Sequence, residues 1–347
     1  MESNEQKLLM PEPRANGLLA YISPSKYLLI GGSDRNKPYN DIWYLLTNEK
    51  KWEKISDNNP ISKLLTPRSG FAYCITNHTD QEIEIFIHGG QDYFTNTFHS
   101  DLFKITINIK NFENSTIKNL ITFPLDISKF PCSRNSHQMV YDNDNKFLYF
   151  FGGGTDSGLL NDFWKIDINN NKNTFEKVNI NNLENIIKPR ELFGMIYYKK
   201  SLIIFGGRLI NDINGYSYKI DLENKTCKRG NKLTYKLAAF TYCLIKFNNK
   251  DYVIIYGGTD GEKFFNNFIV YDIENDTFKK SKIAINKELV GNDQQYEIFL
   301  GRISAMMVLD EKGENLILYG GSAMDKEWSY INNVNIKEIF EYLEEKI

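Results

Sequence analysis

Cysteine and histidine are scarce in this 347-residue chain, which has four of each. The cysteines, at positions 74, 132, 227 and 243, lie far apart, and no pair has the Cys-x-x-Cys spacing of a zinc or redox site. Cys74 and Cys243 lie inside apolar runs, which favours buried free thiols in a reducing cytosol. We therefore expect no disulfide framework, no metal, no cofactor and a cytoplasmic location.

The chain also lacks a long apolar run and a large net charge. No stretch approaches the roughly 20 apolar residues that cross a membrane, so no membrane span is expected. The first six residues are polar and acidic, unlike a secretory signal. Forty-two basic residues stand against 44 acidic ones, so no overall field draws the chain to nucleic acid. The partners expected are proteins or peptides, and the chain itself is expected to be a monomer.

The most informative feature of the sequence is an internal repeat. Six times, an apolar run of four residues ends in a glycine pair, and successive pairs lie 51 to 63 residues apart. The pairs are Gly31-Gly32, Gly89-Gly90, Gly152-Gly153, Gly206-Gly207, Gly257-Gly258 and Gly320-Gly321. A strand-like run, usually opened by arginine, precedes each pair, and a third strand follows it. In four copies a single aromatic residue marks a fourth strand, namely Trp52, Phe112, Phe175 and Phe278.

Four short strands per repeat, repeated six times, predict sheets stacked radially around a channel. The pattern resembles the kelch-repeat family, in which Gly-Gly ends the second strand, a Tyr or Trp lies in the third and an aromatic residue lies in the fourth. The resemblance covers nearly the whole chain and implies an all-β, six-bladed kelch-type β-propeller. Two copies depart from it: Cys227 replaces the aromatic residue of the fourth copy, and the fifth copy lacks its leading arginine.

The ends of the chain must close this ring. Ile339, Phe340 and Leu343 repeat at helical spacing, so we expect one propeller domain over residues 1–336 and a short C-terminal helix over 337–347. The sixth copy then has no fourth strand of its own. An apolar run precedes Arg14, and we expect residues 5–10 to complete the sixth blade as an N-terminal strand, which removes an open sheet edge.

Arginine is rare, with eight residues against 34 lysines, and its positions are therefore informative. Five of the eight open a first strand: Arg14, Arg68, Arg134, Arg190 and Arg302. A planar guanidinium at this position has two interpretations. It either hydrogen-bonds backbone carbonyls inside the scaffold, or it belongs to a ring of cations at the channel mouth that binds a carboxylate or an acidic peptide.

The resemblance implies where a partner would bind. In kelch proteins that bind peptides, the pocket is lined by the residues just after Gly-Gly and by the start of the first strand. Aromatic residues on the adjoining loops are typical anchors. The candidate partner-binding residues are Arg208, Arg35, Ser33, Gln91, Tyr93, Phe94, Thr259, Ser322, Trp328, Ser69, Asn135, Ser136 and Ser304. Arg208 is the foremost candidate, because packing does not obviously require an arginine there.

No residue is expected to be catalytic. The sequence has no Ser-His-Asp pattern, no phosphate-binding glycine loop and no zinc set, and of its histidines only His137 could face the channel. The function expected is a non-enzymatic protein–protein interaction module or scaffold that presents its loop face. Two alternatives stay open: a substrate receptor of a ubiquitin ligase that docks through its C-terminal helix, and a small-molecule enzyme or lyase that uses the channel.

Overall fold

A computed structural model gives the architecture of the chain. The structure describes residues 9–121, 129–169, 174–283, 288–290, 301–323 and 327–344. Within these ranges the chain forms six antiparallel four-stranded sheets, the six blades of a β-propeller, together with a short C-terminal helix. The fold class predicted from the repeat is confirmed.

In the first three blades the strands follow one another from the channel outward. The first blade contains Leu18–Ser23, Lys26–Ile30, Ile42–Leu46 and Lys51–Lys54. The second contains Ala72–His78, Glu82–His88, Leu102–Asn108 and Thr116–Asn119. The third contains Gln138–Asp142, Phe147–Thr155, Gly158–Asp167 and Phe175–Lys177.

The fourth and fifth blades keep this order, and the sixth changes it. The fourth contains Gly194–Tyr198, Ser201–Phe205, Tyr216–Asp221 and Thr226–Lys232. The fifth contains Thr241–Phe247, Lys250–Tyr256, Phe268–Asp272 and Thr277–Lys280. The sixth contains Met306–Leu309, Asn315–Tyr319 and Ile331–Asn335, and its outer strand is Glu288–Val290.

The second strand of each blade is apolar because both of its faces are covered by neighbouring blades. Leu28, Leu29 and Ile30, for example, are fully buried although they alternate between the two faces. Among the described residues, the buried side chains form six apolar clusters, one for each pair of adjacent blades. The core is therefore a ring of interfaces rather than a single centre.

Each Gly-Gly pair connects two blades through its backbone. In the fourth blade, Gly206 and Gly207 have φ angles of 65° and 102°, which favour glycine. The Gly206 carbonyl accepts a hydrogen bond from Arg190, and the Gly207 N–H donates to the Leu237 carbonyl of the next blade at 2.8 Å. A side chain on Gly206 would collide with that same carbonyl oxygen.

The ring closes through packing and a backbone hydrogen bond between the first and sixth blades. Trp52 packs against Tyr319 with their ring centroids 5.0 Å apart. The Gly321 N–H donates to the Arg14 carbonyl at 2.9 Å, which repeats the contact made between the other blades. The same pair of blades shares one of the six apolar clusters.

The outer strand of the sixth blade differs from the predicted one, which was formed by residues 5–10. Glu288–Val290 pairs with the strand Ile331–Asn335, so this blade has a fourth strand of its own, from the segment that precedes its inner strand. Of residues 5–10, residues 5–8 lie outside the described ranges, and Leu9 and Met10 belong to no strand. The premise that the sixth copy has no fourth strand of its own was wrong, because strand order along the sequence does not fix which segment pairs at a sheet edge.

The helical segments are short. The described α-helices are Pro60–Leu64, Leu183–Ile186 and Ile336–Glu341. The last begins one residue before the predicted start, and its Phe340 stacks on Phe247 at 4.1 Å between ring centroids. Phe112 lies in the 3-10 helix Phe112–Asn114 rather than in the outer strand that follows it. No described helix is both long and apolar enough to cross a membrane.

Candidate functional site

A closed ring of backbone hydrogen bonds narrows the channel near the loop face. Each blade contributes the residue two positions before its inner strand: Asn16, Gly70, Ser136, Leu192, Ala239 and Ser304. Each N–H donates to the carbonyl of the corresponding residue in the preceding blade, and Asn16 donates to Ser304, with N···O distances of 2.7 to 3.2 Å. All six residues have left-handed φ angles between 51° and 64°. The ring separates an inner cavity of about 280 Å³ from a pocket of about 600 Å³ on the loop face.

The five strand-opening arginines lie inside the scaffold and are at most 2% exposed. Arg134 is representative: it donates to the Gly152 carbonyl at 3.0 Å and to both carboxylate oxygens of Asp162 at 2.6 and 2.8 Å. Burial alone would raise the pKa of Asp162, but the hydrogen bonds from Arg134 lower it below its usual value.

The other four arginines follow the same plan with different partners. Arg14 and Arg68 pair with Asp41 and Asp101, and Arg302 donates to the Asn332 side chain. Arg190 donates to the Gly206 carbonyl at 2.9 Å, and its guanidinium lies 4.6 Å from the centre of the Tyr218 ring. Of the two interpretations of these arginines, the structure supports the scaffold role.

The loop-face positions are paired by backbone bridges. In every blade, the residue after the strand-opening position pairs with the residue after Gly-Gly: Ala15 with Ser33, Ser69 with Gln91, Asn135 with Gly154, Glu191 with Arg208, Ala238 with Thr259, and Ile303 with Ser322. These bridges bring each pair of side chains together on the loop face. Of these six pairs, all within the described ranges, Glu191 and Arg208 alone are both charged.

Arg208, the foremost sequence candidate, is held by an ion pair. Its Nε donates to Oε1 of Glu191 at 2.7 Å, and its Nη2 donates to the same oxygen. The Arg208 side chain is 47% exposed, whereas the Glu191 residue is 8% exposed. Arg208 therefore reaches the loop face with its charge already offset by Glu191.

The pocket brings together six of the predicted residues: Gln91, Tyr93, Asn135, Ser136, Arg208 and Ser304. Asn135 Nδ2 donates to Gln91 Oε1 at 2.6 Å and lies 3.4 Å from the Tyr93 hydroxyl. These contacts fix two amide side chains and one phenol against the same wall.

Apolar side chains at the pocket rim are unusually exposed. The short strands Gln91–Asp92 and Thr97–Phe98 form a loop hairpin, and its tip presents Tyr93 and Phe94 with 49% and 81% of their surfaces exposed. Ile210, which also lines the pocket, is 78% exposed. Large apolar groups held in water at a pocket rim are typical of a binding surface.

Three predicted residues, Trp328, Ser33 and Ser69, are buried and do not line the pocket. Trp328 is 3% exposed, so its ring packs inside the protein. Ser33 lies under the loop face, and its hydroxyl donates to that of Ser69, which is fully buried, at 2.9 Å. All three side chains therefore stabilise the loops and lie outside the pocket.

The remaining candidates are more accessible but also lie outside the pocket. Arg35 donates to the Ala323 carbonyl at 2.7 Å and to Glu327 at 3.1 Å, which joins loops of the first and sixth blades. Thr259 donates to a carbonyl within its own loop, and the Ser322 hydroxyl donates to the carbonyl of the next residue. Their described contacts are structural.

Residues 83–292 match the model of the KLHDC2/KLHL20/DRC7 Kelch-repeats domain, which covers more than half of the chain. The chain belongs to this kelch-repeat family. It is also similar to the leucine-zipper-like transcriptional regulator 1 homolog of Drosophila melanogaster, with 24% identity over 252 residues, or 68% of this chain and 21% of that protein. The chain thus spans about a fifth of the length of this curated relative.

Within this kelch propeller, Glu191, Asp156 and Ile210 are among the pocket residues that sequence reasoning did not predict as binding residues. A signal for Glu191 was available, because it follows Arg190 as Ser69 follows Arg68 and Asn135 follows Arg134. Ile210 gave no such signal, since an isolated apolar residue on a loop is common.

His137 belongs to a buried histidine pair in this kelch propeller. Its Nε2 lies 2.8 Å from Nδ1 of His88, so one ring must donate to the other, and both residues are at most 1% exposed. The pKa of His88 is lowered to about 3, first by burial and then by the charges of Arg134 and Arg68. The pKa of His137 is also well below its usual value, first through burial and then through His88 and Arg134. In the described part of the chain, no group of three or more His, Cys, Asp or Glu side chains could hold a metal ion.

Proposed function

We propose that this kelch propeller is a non-enzymatic interaction module that binds a segment of a partner protein in the loop-face pocket. The observation that carries the proposal is the combination of a pocket of about 600 Å³, lined by the exposed Tyr93 and Ile210, with the exposed Phe94 beside Tyr93 on the adjoining hairpin tip. Burying such side chains against a partner removes apolar surface from water, and aromatic residues are frequent centres of binding energy.

The polar groups of the pocket suit the backbone of a peptide. The Gln91 and Asn135 side chains carry both donors and acceptors, and their mutual hydrogen bond holds them in place before a partner arrives. Rigid polar groups lose little conformational entropy on binding. The hydrogen-bonded ring below the pocket keeps the ligand on the loop face.

The proposal is tested by capturing partners from native lysate on immobilised protein. Phe94→Asp replaces the most exposed apolar side chain of the rim with a charge, and Tyr93→Ala removes its neighbour. Both changes lie on an exposed hairpin tip, so we expect folding to survive and the melting temperature to stay near that of the wild type. We expect the specific partners to be lost from both variants.

Tyr342→Asp is the matched control, because Tyr342 is 55% exposed at the end of the C-terminal helix and does not line the loop-face pocket. This variant should capture the same partners as the wild type. If the three variants and the wild type capture the same proteins in the same amounts, the loop-face proposal is wrong.

The two alternatives have less support. A ubiquitin-ligase receptor that docks through the C-terminal helix would need a free apolar helix face, but Ile336 and Ile339 are buried and Phe340 is stacked on Phe247. A channel enzyme would need accessible titratable groups, and the His88–His137 pair is enclosed between blades. We therefore retain the interaction module as the proposed function.

A further inference from the structure

The net charge of the loop-face pocket is negative, although Arg208 alone would make it positive. Three charged side chains line the pocket: Arg208, Glu191 and Asp156. Their sum is one net negative charge. An isolated Arg208 would favour an acidic ligand. Here the charge of Glu191 balances that of Arg208, and Asp156 adds a second negative charge.

Glu191 is the most buried of these three charged residues, and only one of its two carboxylate oxygens accepts hydrogen bonds from Arg208. Both hydrogen bonds from Arg208 go to Oε1, and Oε2 accepts no hydrogen bond in the part of the chain that the structure describes. Oε2 faces Gly154, where any side chain would collide with it. Glu191 lines the pocket, so Oε2 can accept a hydrogen bond from a donor on a ligand, and a charged donor would form the stronger, charge-assisted kind.

Tyr93 lies within the electrostatic reach of the same carboxylate. The pKa of its phenol is raised, first by burial and then by the charge of Glu191. An aromatic face beside a carboxylate attracts cations by two independent routes, the ring quadrupole and the ion pair.

Resting on the proposed function, we infer that the pocket recognises a basic side chain of the partner segment, with Glu191 as its anchor. The cation binds Oε2 of Glu191 and lies beside the Tyr93 ring, and Asp156 adds to the negative potential. Arg208 is then a positioning residue, which orients the Glu191 carboxylate through Oε1. The expected ligand is an arginine- or lysine-containing peptide, in contrast to the acidic peptide suggested by the arginines in the sequence.

In the experiment, short random peptides displayed on phage are selected for binding to the immobilised full chain. We expect arginine or lysine to be enriched at one position. A synthetic copy of a selected peptide should bind about tenfold more weakly when the basic residue is replaced by citrulline, which keeps the shape of arginine without its charge. Glu191→Gln should weaken the original peptide by a similar factor and abolish its preference for arginine over citrulline.

Two further variants keep the inference testable if Glu191→Gln fails to fold. Asp156→Asn changes an exposed loop residue and should weaken the basic peptide about threefold or less, as expected for an exposed charge. Arg208→Gln removes the guanidinium that positions Glu191, so it should weaken binding of the basic peptide and should not shift the preference toward acidic peptides. Melting temperatures measured alongside identify any variant that fails to fold.

The outcomes separate this inference from the proposed function. If the selected peptides are acidic, or bind through a free carboxylate that requires Arg208, the inference is overturned and the interaction module stands. If the selected peptides bind Tyr93→Ala and Phe94→Asp as well as they bind the wild type, the loop-face proposal itself is overturned.

Discussion

Arg134 and Arg229 show how the surroundings of a residue decide its contribution. Arg134 is fully buried and satisfies both Asp162 and a glycine carbonyl, whereas Arg229 lies exposed with its guanidinium 4.8 Å from the centre of the Tyr216 ring. A buried ion pair contributes little in itself, but removal of one partner leaves an uncompensated charge.

We therefore expect Arg134→Ala to lower the free energy of unfolding by about 3 kcal/mol, since Asp162 loses both of its hydrogen bonds from the guanidinium. Arg229→Ala should cost about 1 kcal/mol or less, as an exposed cation over a ring. Urea unfolding of the two variants measures the difference. Equal losses would mean that the strand-opening arginines do not hold the scaffold.

The buried histidine pair predicts a loss of stability in mild acid. The pKa values of His88 and His137 are lowered in the folded chain, so below about pH 6.5 the unfolded chain binds protons that the folded chain excludes. Stability should be unaffected above that pH and should fall below it. Each histidine contributes up to about 2 kcal/mol between about pH 6.5 and pH 5.

The measurement is the urea midpoint at a series of pH values. His88→Gln removes one titrating ring and should reduce the slope without abolishing it, because the pKa values of His137 and His99 are also lowered in the folded chain. A wild-type midpoint that stays constant down to about pH 5 would contradict the prediction.

At the scale of secondary-structure elements, the glycine pairs end the second strands and connect neighbouring blades. Gly206 and Gly215 provide a matched comparison within the fourth blade. Gly206 has a φ of 65°, and a side chain on it would meet the Leu237 carbonyl. Gly215 has no left-handed φ, and the nearest group to its added methyl is the flexible Lys236 side chain, at 3.3 Å.

We expect Gly206→Ala to cost about 2 to 3 kcal/mol, from a left-handed alanine and a displaced carbonyl. Gly215→Ala should stay within about 1 kcal/mol of the wild type. Thermal or urea unfolding checks the pair. Similar costs for both would remove the special role assigned to the Gly-Gly step.

A comparison of the secondary-structure elements with the sequence shows which structural features the sequence predicts. The glycine pairs and the apolar runs repeat in six copies and the strand-opening arginines in five, so local chemistry and spacing were sufficient to predict the strands, although the sequence left the role of the arginines open. The outer strand Glu288–Val290 was not predictable, because edge pairing depends on which segment reaches the sheet in space. Glu191 was missed although its position after Arg190 was a signal, because its ion pair with Arg208 depends on a backbone bridge between the two residues that the sequence does not show.

For the whole molecule, closure makes each blade dependent on both neighbours. The interface between the first and sixth blades contains Trp52 and Tyr319 and is built like the five others. A closed ring of equivalent interfaces has no terminal unit that can separate at low cost, unlike an open repeat array.

Trp52→Ala should therefore destabilise the entire ring, by about 3 to 5 kcal/mol, through the cavity it leaves at the closing interface. Native-state hydrogen exchange should show reduced protection in all six blades rather than in the first and sixth alone. Loss of protection confined to those two blades would show that the ring opens at its closure.

The ring of six hydrogen bonds at the channel mouth has an electrostatic consequence. Every N–H points the same way around the circle, toward the preceding blade. Each peptide unit carries a dipole of about 3.5 D, and dipoles arranged head to tail around a closed circle cancel. Unlike a helix end, this mouth has almost no field of its own. Side chains alone then decide whether the pocket prefers a positively or a negatively charged ligand. A single substitution beside the ring could reverse this preference without disturbing the scaffold.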